Sequence, residues 1–259
     1  MIESMVSVYS EVSPWALLWL LLAAFIAGYI DTLVGGGGLI TIPALLLAGI
    51  PPIQALGTNK LQACAGSGTA TLTLILKGKL SFKQLRLGMV TAFIGALFGA
   101  VVVQYINAEV LAFVVPIVIV LIALYFLLVP KQRVGGGKPK VSVMTHRLTA
   151  VPTVGFYDGM FGPATGSFFV LAGVSLRGQG IVESSMVAKA LNFASNIASL
   201  TVFIWYGQVV FVLGAMMMLG QFVGASIGAR SLMKIDQEML RFLVVGMCVT
   251  ILVVWFVNR

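Results

Sequence analysis

Four ionisable side chains, Asp31, Lys60, Asp158 and Lys189, stand within or beside long apolar runs. A charge at mid-depth of a membrane helix costs about 2.5–3.5 kcal/mol on insertion scales, so it marks a polar interior and a working site. Each Asp is followed by a run of small residues. Gly35-Gly36-Gly37-Gly38 follows Asp31, and Gly162-Pro163-Ala164-Thr165-Gly166-Ser167 follows Asp158. Bare N–H groups at a helix N-terminus, where the backbone dipoles leave partial positive charge, make a seat for an anion. Lys60 and Lys189 add full positive charge. Together these residues suit a small anion with several oxygens, with Asp31 and Asp158 placed to relay protons or to gate. The plainer reading pairs Asp31 with Lys60 and Asp158 with Lys189 as structural ion pairs.

The lysines lie on striped helices. Cys64, Ser67 and Thr71 follow Lys60 at spacings of 4, 7 and 11, and Asn192, Asn196 and Ser199 follow Lys189 at 3, 7 and 10. Each set shares one helical face. Asn59 and Gln62 flank the first stripe, and Gln221 stands alone on a later helix. Ser67, Thr71 and Ser199 read as packing residues, and Gly95, Gly99, Gly224 and Gly228 as small-xxx-small helix contacts. Glu109 and Glu238, each at a helix start, read as dipole partners.

The two stripes belong to a repeat. Gly28-Tyr29-Ile30-Asp31 recurs as Gly155-Phe156-Tyr157-Asp158 at an offset of 127. Lys60/Lys189, Gly78/Gly207, Gly95/Gly224, Gly99/Gly228, Glu109/Glu238 and Leu111/Leu240 follow at 129. The spacing predicts a first half over 1–130, with helices near 15–33, 38–50, 53–76, 86–106 and 109–130. A linker over 131–147 leads to a second half over 148–259, with helices near 148–160, 165–176, 181–206, 209–230 and 238–257. A span needs ~20 residues. Segments 38–50, 148–160 and 165–176 fall short, so each opening pair reads as a re-entrant hairpin whose tip stops inside the membrane. Such backbone survives there only when buried in protein or lining a wet cavity.

Lys and Arg set the expected topology. With Lys77, Lys79, Lys83 and Arg86 placed inside, three spans per half bring 13 of 16 basic residues to the cytoplasmic side. The N-terminus, 107–109 and 207–209 contain no Lys or Arg and fall outside, in the periplasm. An odd number of crossings per half inverts the second copy. The expected fold class is therefore an all-α polytopic membrane protein of two inverted repeats, the pattern of secondary transporters.

Composition excludes the other classes. The 259 residues are 59% apolar and 9% charged, against ~45–50% and about 25% in soluble chains. A soluble enzyme, a nucleic-acid-binding module and a disordered chain are disfavoured together. Long apolar runs such as 110–129 lack the alternation of a β-barrel. The net charge of +8 follows from basic loops, not from a nucleic-acid-binding face. Cys64 and Cys248 lie in apolar segments and His146 stands alone in a basic loop, so no disulfide framework, metal site or cofactor is expected. The absence of a basic residue before the first apolar run argues against a cleavable signal peptide.

The run A-G-Y-I-D-T-L-V-G-G-G-G-L-I-T-I-P-A-L with G-T-N-K-L-Q-A-C-A-G resembles the sulfite exporter TauE/SafE family. In the second half V-G-F-Y-D-G-M-F-G-P-A-T-G-S-F with A-K-A-L-N-F-A-S-N does the same. The resemblance covers the chain from about residue 22 to its C-terminus. It implies a bacterial inner-membrane transporter, several of whose relatives export sulfite or organosulfonates. The implied site lies around Asp31, Gly35 to Gly38, Asn59, Lys60, Gln62, Asp158, Lys189, Asn192 and Asn196. The reading of residues adds the second tip, Gly162, Thr165, Gly166 and Ser167. The expected partners are a small anionic substrate and the lipid bilayer, with a homodimer left open and no nucleic acid. Three alternatives stay open: a carrier of a cationic or metal solute using Asp31 and Asp158, an intramembrane enzyme built on Cys64, and a non-transporting scaffold.

Overall fold

The structure, a computed structural model, describes residues 14–128 and 137–231. The expected helix near 238–257 and the contacts of Cys248, Glu238 and Leu240 lie outside those residues. The described chain is helical. In order the helices are α1 (Pro14–Val34), α2 (Gly38–Leu47), α3 (Pro52–Leu76), α4 (Phe82–Val103) and α5 (Ala108–Leu128). After the linker come α6 (Val143–Leu148), α7 (Ala150–Met160), α8 (Thr165–Arg177), α9 (Ile181–Trp205) and α10 (Phe211–Ser231).

Among the described residues four helices are long and apolar enough to cross a bilayer: Trp15–Leu33, Phe82–Val103, Ile181–Trp205 and Phe211–Ser231. Helix α3, with 25 residues, has the length, yet it carries Thr58, Asn59, Lys60, Gln62 and Ser67 buried inside the bundle. Helices α2, α7 and α8 have 10, 11 and 13 residues. At 1.5 Å per residue they reach about 15–20 Å, too little to cross. Exposed apolar side chains, among them Trp15, Trp19, Leu72, Phe98, Leu219 and Phe222, cover the outside. A surface of this kind is stable against acyl chains and unstable against water.

Two tight crossings hold the bundle. Helix α4 lies on α7 and α10 lies on α1. The small-residue positions sit at both. A methyl group on Gly95 or Gly99 would collide with the Pro152 or Phe156 carbonyl oxygen, and one on Gly224 would collide with that of Phe25. On Gly228 it would stand 2.9 Å from the Tyr29 carbonyl oxygen. These partners are related by the same offsets as the sequence: Pro152 is 127 residues beyond Phe25, and Phe156 is 127 beyond Tyr29. Backbone conformation recurs likewise. Gly35 and Gly162 have φ of +89° and +91°, Gly78 and Gly207 +66° and +68°, and Gly49 and Gly178 +81° and +63°.

Helix ends and loops also meet in pairs. Arg147 donates to the Gln84 carbonyl oxygen at 2.7 Å, and Arg177 donates to that of Val141. Val210 N–H donates to Thr58 Oγ1 at 3.0 Å, and the Tyr105 and Tyr206 hydroxyls lie 3.3 Å apart.

Three boundaries differ from expectation. Helix α2 ends at Leu47 because the chain turns through Gly49, with Ile50 N–H closing onto the Leu45 carbonyl oxygen. Helix α4 starts at Phe82, so Lys83 and Arg86 lie in its opening turns rather than in the loop. The end of the linker is also helical. Ser142 accepts from Thr145 N–H at 3.0 Å and caps α6, which carries His146 as a buried residue rather than a loop residue.

Candidate functional site

Helix α3 is built to expose nothing of its polar face to lipid. Lys60 and Lys189 are 1% and 0% exposed, Asp158 is 1% exposed, and Asn59, Gln62, Asn192 and Asn196 are buried with them. Asp31 is half-buried. The stripes therefore face the protein interior.

Each lysine reaches the tip of the other half. Lys60 Nζ lies 2.7 Å from Asp158 Oδ1 and 2.5 Å from the Asp158 carbonyl oxygen. Lys189 Nζ donates to the Asp31 carbonyl oxygen. The pairing Asp31–Lys60 and Asp158–Lys189 is thus corrected: the partners are crossed. Spacing along the chain placed each Asp beside the nearest Lys, whereas packing brings α3 to the α7–α8 tip and α9 to the α1–α2 tip. Among the described residues Lys60–Asp158 is the one side-chain ion pair.

The carboxylates are engaged at helix starts. Gly37 N–H donates to Asp31 Oδ1 at 3.1 Å, ahead of α2. Thr165 Oγ1, at the start of α8, lies 2.7 Å from Asp158 Oδ1 and 2.8 Å from the Gly162 carbonyl oxygen, two acceptors for its one proton. Helix dipoles favour negative charge at both places. The seats expected for a foreign anion thus hold the protein's own carboxylates, Asp31 at the first tip and Asp158 at the second.

The tips touch. Ser167 N–H donates to the Gly35 carbonyl oxygen at 3.3 Å, and a methyl group on Gly35 would stand 2.5 Å from Ser167 N and 2.6 Å from Gly166 Cα. One on Gly38 would stand 3.3 Å from Pro163 Cα and 3.6 Å from Asn59 Nδ2. One on Gly162 would stand 2.8 Å from Lys60 Nζ. Gly36, between them, is buried. Ala164, at the start of α8, has φ +58°, a left-handed conformation that costs a non-glycine residue about 1–2 kcal/mol.

Side chains on α3 complete the shell. Asn59 Oδ1 accepts from Thr41 Oγ1 at 2.6 Å and from Gln62 Nε2 at 2.7 Å. Gln62 Oε1 and Asp158 Oδ2 are buried with no hydrogen-bond partner among the described residues. On α9, Asn196 Nδ2 donates to Asn192 Oδ1 at 3.2 Å. Thr41 and Tyr157, whose hydroxyl donates to the Pro163 carbonyl oxygen at 2.8 Å, join the site without having been singled out. A hydroxyl inside an otherwise apolar α2 was the available sign for Thr41. Ser67 and Ser199 bond back to their own helices, as packing residues do.

The lysines do not share a seat. Gly57 lies against Phe203 and Gly68 against Phe193, so α3 and α9 are antiparallel. That register sets Lys60 level with about residue 200, and hence about 16 Å along the axis from Lys189 at 1.5 Å per residue. The site is two charged seats, one per tip, joined where Gly35 meets Gly166 and Ser167. Among the described residues no group of three or more His, Cys, Asp or Glu is placed to hold a metal ion.

Charge turned inward and apolar side chains turned outward define a polytopic helical membrane protein. Residues 20–254 match the family described as sulfite exporter TauE/SafE, and the chain belongs to that family of transporters, not to a family of enzymes. It is 45% identical over 230 residues to the probable membrane transporter protein ORF9 of Sinorhizobium sp, covering 88% of each chain. It is 44% identical over 234 residues to the probable membrane transporter protein YfcA of Escherichia coli K12, covering 90% of this chain and 87% of the other. A probable membrane transporter protein of Haemophilus influenzae is 40% identical over 223 residues, covering 86% and 88%. No solved structure matches the chain significantly.

Proposed function

We propose that the protein is a secondary transporter that exports small oxyanions, sulfite or organosulfonates, across a bacterial inner membrane by alternating access. Its halves, 1–130 and 148–259, are inverted repeats joined by a cytoplasmic linker over 131–147, and its N-terminus is periplasmic. The observation that carries this reading is the crossed seating of Lys60 and Lys189, each buried at the glycine-rich tip of the opposite half. Two seats on either side of a tip-to-tip contact give an anion a stop on each side of a barrier. The tip amides and the two lysines hold the anion, with Asn59, Gln62, Asn192 and Asn196 as neutral partners. Asp31 and Asp158 gate the seats.

Alternating access requires the halves to rock about the fixed site. The recurrence of packing at offsets of 127 and 129 supports two units that can do so. A cationic substrate is disfavoured, since Asp158 already faces an ammonium group.

The test is efflux of sulfite and sulfoacetate from proteoliposomes, with and without a pH gradient. Lys60→Ala and Lys189→Ala are expected to lose efflux. Wild-type rates in both variants would remove the lysines from the mechanism.

A further inference from the structure

The two tips occupy related places in the chain, yet their carboxylates are engaged differently. Asp31 Oδ1 accepts from Gly37 N–H, and among the described residues Lys189 lies within 4.0 Å of no carboxylate. Asp158 Oδ1 sits on Lys60, while its other oxygen, Oδ2, is buried with no hydrogen-bond partner among the described residues. The Lys60 seat is filled by an anion that belongs to the protein. At the other tip Asp31 also occupies the helix start, but its carboxylate is held by Gly37 N–H and forms no ion pair with Lys189.

We propose that Asp158 competes with the transported anion for Lys60, so that the anion takes this seat only together with a proton, and that Asp31 has no part in this coupling. The inference rests on the oxyanion-carrier reading above. Charge count carries it. Lys60 and Asp158 together are neutral, and adding a monoanion to a seat closed off from water leaves one uncompensated negative charge. Buried charge of that kind is strongly disfavoured. A proton on Asp158 restores neutrality. Oδ2 is the oxygen that takes it, because Oδ1 already lies 2.7 Å from Lys60 Nζ and from Thr165 Oγ1. The acid then donates from Oδ2 to the anion beside Lys60 Nζ, and the competitor becomes a ligand.

The proton enters from the aqueous side to which the seat is open and leaves with the anion on the other side. One proton travels with each monoanion, in the same direction; the step is electroneutral, so export runs only while the outward anion gradient exceeds the inward proton gradient. Other titratable groups near Asp158 are Cys64 on α3 and Tyr157 beside it on α7. From α4, α6, α8 and α9, the helices packed on α7, no described charged side chain pairs with it. The charges on those helices stand near their linker-side ends or, for Lys189, at the other tip.

The experiment titrates the detergent-solubilised full chain with methanesulfonate, whose own charge is constant near neutrality. Calorimetry in two buffers of different ionisation enthalpy counts the protons taken up. Wild type is expected to take up one proton per protein at saturation, and affinity at the Lys60 seat falls about tenfold per pH unit. D158N takes up none and binds independently of pH, and a wild-type count of one rather than two excludes a second proton on Asp31. Anion binding by wild type without proton uptake, or a wild-type count in D158N, overturns the proposal. Should D158N fail to fold, the wild-type count decides. Wild type that binds neither methanesulfonate nor sulfite at any pH instead refutes the oxyanion reading itself, and this proposal with it.

Discussion

Replacing Lys60 with Met tests the crossed pairing most directly. The substitution keeps the aliphatic stem and removes the ammonium that faces Asp158 at 2.7 Å. Both groups are about 1% exposed, so solvent does little to screen the loss. Removing one partner of a buried pair costs about 3–5 kcal/mol, because the other charge is left uncompensated. Thr165 Oγ1 still lies 2.7 Å from Asp158 Oδ1, which favours the lower end of that range. A cost of about 3 kcal/mol is roughly a hundredfold in the folding equilibrium. For a chain of this size it lowers Tm by about 6–12 °C. The assay is thermal unfolding in detergent, followed by near-ultraviolet circular dichroism. The second substitution decides the matter. K60M/D158N replaces the stranded carboxylate with a neutral amide and is expected to recover most of the loss. K60M/D31N is expected to recover none of it. Equal rescue by D31N, or no rescue by D158N, refutes the crossed arrangement.

Lys189→Met is expected to cost less stability than Lys60→Met, because Asp31 keeps its hydrogen bond from Gly37 N–H, while efflux is lost; unfolding and flux measured on one preparation separate the two. Gly35→Ala forces a side chain into φ +89° and against Gly166 and Ser167, and is expected to cost about 2–4 kcal/mol in thermal stability and to abolish transport. Gly49→Ala, at φ +81° with nothing within 4 Å, costs only about 1–2 kcal/mol and retains transport. Burial, with Arg177 and then Arg147 nearby, holds the His146 imidazole below its ordinary value of 6.5. The unfolded chain therefore takes up that proton first as pH falls. The contribution of His146 to stability is present above about 6.5 and declines below it. His146→Gln is expected to flatten that part of an acid-unfolding curve.

The site was legible in part. Asp31, Lys60, Asp158 and Lys189 stood out because charge is rare in apolar runs, and the tips stood out because small residues cluster there. The stripes on α3 and α9 were readable because helical periodicity is local. Thr41 and Tyr157 were not, since a lone hydroxyl or phenol gives no sign of its partner until a second segment is beside it. The linker misled for a related reason. Basic residues around His146 suggested a loop, and only the Ser142 cap and the packing of Arg147 against α4 make it a helix.

Composition and periodicity settled the class of protein, the longer described helices and the interior direction of the charges, because all three depend on the free energy of each residue against lipid or water. Which lysine meets which aspartate was decided by the packing of α4 on α7 and α10 on α1, through contacts such as Gly95 with Pro152 and Gly224 with Phe25, between residues 57 and 199 positions apart. The two tips carry similar residues but different partners. A carboxylate on Lys60 and a carbonyl oxygen on Lys189 are alternatives that the same local chemistry permits, and only the assembled interior selects between them.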